Sequence, residues 1–271
     1  LRADGSPETI GCQKLVLACN GFGGNREMVA ALTPDIKEGL WFGHDGNQGE
    51  AIIWGRSLNA DLRHLEAYQG HGNVAHPHGI LITWATMTEG GFQVNLAGKR
   101  FWNEAQGYSE AARVVLSQSE GVAFAIFDSR IAAIARQFED FKNAEAAGAI
   151  HSGNTIEDLA QSLGLPATNL AETMANIPTN QPDQFGRTFL TPSLSAPFLG
   201  VRVTGALFHT QGGLRTDIKA RVFDTSGTLI PGLFAGGGAA CGVSGRADAG
   251  YLSGNGLLSA VVLGRIAGLT P

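Results

Sequence analysis

Tyr251 and Ser253 stand in the run Gly250-Tyr251-Leu252-Ser253-Gly254-Asn255-Gly256-Leu257-Leu258, a glycine-flanked loop that opens into an apolar helix. A tyrosine hydroxyl on such a loop donates a hydrogen bond to a carbonyl at its ordinary pKa of about 10, whereas taking up a proton as phenolate needs a nearby positive charge. A ring packed beneath the loop is the alternative role. Upstream lie Phe208-His209-Thr210-Gln211-Gly212-Gly213-Leu214 and Ile230-Pro231-Gly232-Leu233-Phe234-Ala235-Gly236-Gly237-Gly238, the second reading as a short apolar strand that ends in a glycine cluster. Glycine lacks a Cβ and the first N–H groups of a helix are unpaired, so something flat and polar can lie on bare backbone at such a place. The combination reads as a cofactor seat.

The elements that must position these residues alternate between strand and helix. Lys14 to Ala18 is a short β-rich run closed by glycines, and Arg26 to Leu32 reads as a helical turn stopped by Thr33-Pro34. Gly49 to Leu62 has the spacing of an amphipathic helix, and Leu65 to Val94 turns to short strands and loops rich in His and Gly. A helix over Glu110 to Ser117, a strand over Ala123 to Asp128 and a helix over Ser129 to Ala147 follow. Thr155 with an acid three residues on starts another helix, which Gly164-Leu165-Pro166 breaks before a second over Thr168 to Asn176. Ile177 to Pro197 reads as a loop. Strands resume at Val201 to Phe208 and Ala220 to Phe223, with a hairpin turn at Asp224-Thr225-Ser226-Gly227.

Composition narrows the class. Hydrophobic residues make up 44% and charged residues 16%, which implies much buried surface, and the 38 glycines cluster at turns with no collagen period, favouring a loop-rich α/β enzyme. A net charge of −5 without any Lys/Arg run makes nucleic acid and anionic membrane poor partners. Cys12, Cys19 and Cys241 are odd in number and form no C-x-x-C, so neither a disulfide framework nor a zinc site is expected and a reducing, cytoplasmic setting fits. No apolar run approaches a membrane span, and the spacing of His71, His76 and His78 suits no standard metal site.

Five fragments occur in an order that resembles the fumarate reductase and 3-ketosteroid dehydrogenase family of FAD-dependent oxidoreductases. They are Cys19-Asn20-Gly21-Phe22-Gly23-Gly24-Asn25, Gly98-Lys99-Arg100-Phe101 followed by Asn103-Glu104, Phe185-Gly186-Arg187, the strand Ile230 to Gly238, and the helix from Gly254. The resemblance implies an α/β fold with an α+β cap: a FAD-binding Rossmann-like domain built from residues 1–65 and 210–271, interrupted by a substrate-capping domain over 66–209. FAD is the implied cofactor. Gly21-Phe22-Gly23-Gly24-Asn25-Arg26 fails the G-x-G-x-x-G fingerprint, which the family places in a segment before the position of Leu1, so the chain is expected to lack the portion that holds the ADP half.

The resemblance also implies roles. The Asn255, Gly256 and Leu257 helix N-terminus, with Gly254, would face the flavin ring; Gly21, Thr210 and Gly238 would line the cofactor. Glu50 stands where the family has a cofactor-contacting acid, although a lone glutamate there is also a helix-start carboxylate favoured by the dipole. Arg100-Phe101-Trp102-Asn103-Glu104-Ala105-Gln106-Gly107-Tyr108 resembles the ketosteroid dehydrogenase pattern in which the tyrosine takes part in proton abstraction, and Tyr251-Leu252-Ser253-Gly254 resembles the branch in which Tyr and Ser line the substrate ketone. His209 would hydrogen-bond substrate or brace the turn before Gly212. Fumarate-reducing members carry arginines where this chain has Tyr108 and Tyr251, so the cationic clamp of a dicarboxylate is missing unless Arg113, Arg100 or Arg246 replaces it. The expected substrate is a small keto or enoate compound, with the electron acceptor unspecified; a non-catalytic subunit lacking the ADP half is the rival outside enzymes.

Overall fold

The computed structural model describes residues 2–248 and 251–270, and the chain divides into two compact units: Leu1–Met28, Asp45–Ala67 and Thr210–Pro271 in one, Val29–His44 and Tyr68–His209 in the other. Gly250 lies outside the described residues.

In the first unit the strand Leu15–Leu17 runs parallel to Leu229–Ala235, pairing Leu15 with Leu233 and Leu17 with Ala235. Arg221–Phe223 pairs antiparallel on the other side of Leu229–Ala235. The hairpin expected at Asp224 forms because its carboxylate accepts the N–H groups of Ser226 and Thr228, both at 2.9 Å, while Gly227 takes a φ of +84°. A two-stranded piece joins Gly213–Leu214 to Leu62–Arg63. Leu17, Ala51, Leu214, Val222, Leu233 and Ala235 make the core. The C-terminal helix Asn255–Leu269 buries Asn255 and Ala267 and leaves Leu257, Leu258, Val261 and Leu269 exposed, as are Leu15 and Val16.

The second unit is built on one long strand, Phe198–Thr210, whose last residue is counted with the first unit. The sheet runs Ile80–Leu81, Tyr68–Ala75, Phe198–Thr210, Val122–Asp128, Phe92–Val94, and the short strands Leu40–Trp41 and Ile150–Gly153 also pair with Phe198–Thr210. The helix Tyr108–Leu116 lies tight on Tyr68–Ala75 because Gly70 and Gly72 present no side chain; a Cβ on Gly70 would stand 2.6 Å from Ala112 Cβ, and one on Gly72 would overlap Ala111. Phe127, Ile131, Phe141, Val201 and Val203 fill one core, and Phe92, Phe124, Leu159 and Leu170 another.

Three elements depart from the sequence reading, one being the short helix Ala85–Thr88 inside the stretch Leu65 to Val94 read as strands and loops. The amphipathic pattern Gly49 to Leu62 folds as a helix only over Glu50–Ser57, since the chain turns at Asn59, whose φ is +56°, and Ala60 then bridges to Asp224. The apolar run Ser129 to Ala147 is two helices, Ser129–Ala135 and Glu139–Ala146, because Gln137 and Phe138 hydrogen-bond back three residues and Phe138 is extended. Elsewhere the pattern holds: the helix Arg26–Leu32 forms, and Thr155 and Asp158 make a reciprocal capping box before Ile156–Leu163, with left-handed Gly164 ending it.

Candidate functional site

Gly21 ends the turn after Leu15–Leu17, and a Cβ there would overlap Thr210 Oγ1 and approach Gly238 O to 3.5 Å. Thr210 is buried, and its hydroxyl accepts the Phe22 N–H at 3.2 Å. Gly49 N–H donates to Gly21 O at 3.1 Å and starts the helix whose first residue is Glu50. Gly21, Thr210, Gly238 and Glu50 are thus carried by one connected group of turns. Glu50 Oε2 is buried with no hydrogen-bond partner among the described residues. A buried carboxylate oxygen left unsatisfied is costly, and a hydroxyl or N–H donor from a bound molecule would relieve it.

The N-terminus of the helix Asn255–Leu269 is held by a knot of neutral side chains. Asn255 Nδ2 donates to Gln211 Oε1 and, at 3.0 Å, to Ser244 Oγ, while its Oδ1 accepts the Val243 N–H at 3.2 Å. Ser244 Oγ also accepts the Leu252 N–H at 3.4 Å, and Gln211 O accepts the Gly242 N–H at 2.9 Å. The Asn255 side chain is therefore turned into the protein, and what Asn255 offers a ligand is backbone. Gly254, at φ +82°, makes the entry turn; Ser253, Gly254 and Leu257 are exposed, Gly256 is partly buried, and Tyr251 is partly buried with its N–H on Asp248 O at 3.4 Å.

In the second unit Tyr108 opens its helix after Gly107, and its ring stacks on His71 with centroids 4.9 Å apart and planes 21° from parallel. Phe208 also stacks on His71, with centroids 5.2 Å apart, and Trp84 meets His71 edge-on at 5.9 Å. His71 Nδ1 accepts the Asn73 N–H at 3.2 Å. Burial pushes its pKa down to about 3, so the ring is neutral at physiological pH. His209, near the end of Phe198–Thr210, is partly buried and is likewise held below its ordinary pKa by burial. Among the described residues no group of three or more His, Cys, Asp or Glu is placed to hold a metal ion.

A turn of close-packed backbone, a buried acid oxygen without a partner among the described residues and an apolar helix with an exposed entry turn lie in the first unit, and the FAD binding domain family matches this chain over residues 1–257. The chain belongs to that family. It is 30% identical to a probable fumarate reductase of Shewanella frigidimarina over 96% of its own length and 44% of that protein. Among solved structures it is similar to the open conformation of a flavocytochrome c3 fumarate reductase, with a TM-score of 0.75 at 28% identity, covering 95% of this chain and 46% of that one. It is also similar to a 3-ketosteroid-Δ4-(5α)-dehydrogenase from Rhodococcus jostii bound to 4-androstene-3,17-dione, with a TM-score of 0.64 at 25% identity, covering 95% and 52%. The chain thus spans about half the length of the relatives it matches. Its fold is the α/β, Rossmann-like FAD-binding type with a capping insertion, and FAD is the cofactor of the family.

Within this family fold, two of the five fragments, Gly98–Glu104 and Phe185–Arg187, meet at Asp183, a pairing that no local pattern announces. Arg100, Glu104, Asp183 and Arg187 form a buried cluster with side chains 5%, 0%, 5% and 7% exposed. Arg100 donates to both Glu104 and Asp183, Arg187 reaches Glu104 at 3.0 Å and Met87 O at 2.7 Å, and both guanidinium groups lie over Phe189. Burial pushes the Asp183 carboxyl up, but Arg100 and the Arg187 and Phe185 N–H groups outweigh it and hold the pKa below the usual value. Arg100 is consequently committed to internal carboxylates and is not available to grip a substrate anion. Arg113 is exposed on the last turn of its helix, and Arg246 is 86% exposed at 3.8 Å from Glu66. The knot of Gln211, Ser244 and Asn255 was also missed as such; its only sequence signal was Gln211 lying between Thr210 and the Gly212-Gly213 pair.

Proposed function

We propose that this chain supplies the flavin-ring side and the substrate cap of an FAD-dependent oxidoreductase that dehydrogenates, or in reverse reduces, a C–C bond next to a carbonyl in an uncharged, ketosteroid-like ketone. The first unit is the flavin-binding part and the second the cap. Gly21, Glu50, Thr210, Gly238 and the backbone of Gly254, Asn255, Gly256 and Leu257 would hold FAD, with Glu50 Oε2 accepting from it and the helix N-terminus favouring negative charge on it. FAD, when bound, exchanges the hydride at its N5. Tyr251 donates its hydroxyl to the substrate carbonyl, which drains charge from the carbon that must lose or gain a proton. Tyr108 takes or returns that proton, with Ser253 passing it, and His209 orients the substrate by a hydrogen bond as a neutral ring.

The observation that carries this reading is the setting of Tyr108: a neutral histidine and aromatic rings, with Arg100 tied to Glu104 and Asp183. An uncharged ring fits such surroundings, and the two arginines that would clamp a dicarboxylate are replaced by Tyr108 and Tyr251 in this chain. The fumarate reductase named among the relatives favours a second reading, an enoate reductase in which exposed Arg246 or Arg113 grips a carboxylate. A reducing, cytoplasmic setting suits the free thiols of Cys12, Cys19 and Cys241; among the described residues no helix is long and apolar enough to cross a membrane.

The test is turnover of cyclic ketones with an artificial electron acceptor, set beside fumarate reduction by a reduced dye. Ketone turnover that falls roughly 100-fold or more in Tyr108→Phe, at unchanged flavin content, supports the reading. Fumarate turnover without ketone turnover, lost in Arg246→Ala, selects the second.

A further inference from the structure

Beneath the His71–Tyr108 stack lies a chain of buried amides that the proposed chemistry does not use. Gln93 is fully buried, and its Nε2 donates to Gly72 O at 2.8 Å and to Asn73 Oδ1 at 3.4 Å. Its Oε1 accepts the Trp102 indole N–H at 3.0 Å, and its backbone N–H donates to Glu104 Oε1 at 2.9 Å. Asn73, also fully buried, donates from Nδ2 to Ile82 O and Thr86 Oγ1, both at 3.1 Å. The two amides therefore clamp Gly72 and Asn73, the residues next to His71, on their carbonyl and side-chain sides together. The Asn73 backbone N–H so fixed is the group that donates to His71 Nδ1 at 3.2 Å.

A ring nitrogen that accepts a hydrogen bond carries no proton, so this contact assigns the proton of neutral His71 to Nε2. The ring has its plane set by Tyr108 on one contact and Phe208 on another, with Trp84 at its edge and Trp102 in turn 6.2 Å from Trp84. Satisfied polar networks in a low-dielectric interior are stiff, because any rotation of one amide leaves several groups unpaired at once.

We infer that Gln93 and Asn73 are positioning residues that lock His71 as the neutral Nε2–H tautomer against Tyr108, so that the ring beside Tyr108 neither takes the substrate proton nor presents a cation. The inference rests on the role proposed above for Tyr108. It extends that role by explaining how a histidine beside the proton-handling group is kept from competing with it: the proton of the reaction stays on the tyrosine path. The buried charge cluster joins the same network through Glu104 and Gln93, which ties the geometry at His71 to the cap's own scaffold.

Long-range 1H–15N correlation of the 15N-histidine-labelled chain tests this, with the His71 signals assigned by their loss in His71→Asn. The wild type is expected to show His71 with bare Nδ1 and protonated Nε2, unchanged from pH 8 to pH 5. Gln93→Met keeps the volume and removes the side-chain hydrogen bonds; His71 is then expected to become a tautomer mixture, and kcat for a ketone to drop about 10-fold with little change in KM. Trp102→Phe, which keeps an aromatic ring but removes the indole N–H and part of the ring volume, serves where Gln93→Met does not fold, and the same change is expected at smaller amplitude. A cationic or Nδ1–H His71 in the wild type overturns the inference, as does an unaltered His71 signature in a folded variant. The spectrum needs neither flavin nor substrate: the expected tautomer in a protein without ketone turnover would leave the lock standing and overturn the role given to Tyr108.

Discussion

In the first unit Gly21, Gly238 and Gly242 keep side chains out of the space around the turns, and the polar work falls to neutral groups, Thr210, Gln211, Ser244 and Asn255. In the second unit four full charges are taken out of water and spent on one another. The two solutions suit different tasks. A seat for a flat cofactor must leave backbone and at least one acceptor open, and on the reading proposed above Glu50 Oε2 would be that acceptor. A scaffold that holds Tyr108 and His71 in register can instead spend its charges on one another, as Arg100 and Arg187 do on Glu104 and Asp183. The first unit is therefore expected to fail by losing its cofactor, and the second by unfolding.

The largest effect is expected from Glu104→Gln, which removes the buried carboxylate that Arg187 pairs with and leaves Arg100 with Asp183 alone. Breaking a buried pair costs about 3–5 kcal/mol, read as a lower denaturation midpoint with its slope unchanged. A midpoint within error of the wild type would remove the claim that the cluster is a scaffold. Next is Gly21→Val, whose Cβ overlaps Thr210 Oγ1; about 1–3 kcal/mol of overpacking is expected with nearly all flavin absorbance lost, so cofactor content should fall far more than stability. Asn255→Leu removes the knot at the helix N-terminus and leaves Gln211 and Ser244 unpaired. About 1–3 kcal/mol is expected, with weakened flavin binding by titration.

Acid should separate the units further. The folded pKa of Asp183 is below its unfolded value, so its stabilising contribution is complete above the usual carboxylate range, about 4, and is lost as pH falls through the folded value. His71 is held near 3 in the fold, so stability also falls as pH drops from about 6.5 toward 3, where the unfolded chain takes up a proton that the folded one refuses. Asp183→Asn should flatten the lower part of the stability–pH curve and leave the upper part alone. The smallest effect is expected from Thr155→Ala, which removes a capping box in the second unit and costs about 1 kcal/mol without touching flavin content or turnover.

What the sequence disclosed follows from how local each feature is. The helix Arg26–Leu32, the Thr155 box and the Asp224 hairpin are set by residues within five positions of one another, and each was legible. The close backbone approach at Gly21 was legible through its glycine, since a Cβ there would overlap Thr210 Oγ1. The charge cluster was not, because Arg100 and Glu104 meet Asp183 and Arg187 across some eighty residues and nothing in their separate surroundings announces the pairing. The knot at Asn255 hid for the same reason, with Gln211 forty-four positions away. The helix break at 136–138 carries neither proline nor glycine and is decided by packing.

The central claim is that the chemistry beside Tyr108 serves an uncharged carbonyl compound. With FAD bound and reduced, the protein is mixed anaerobically with cyclohex-2-enone or with fumarate, and the flavin absorbance near about 450 nm is followed. Rapid return of that absorbance with the enone, little return with fumarate, and slow return with the enone in Tyr108→Phe is the predicted result. Rapid return with fumarate alone, unaffected by Tyr108→Phe, would contradict it.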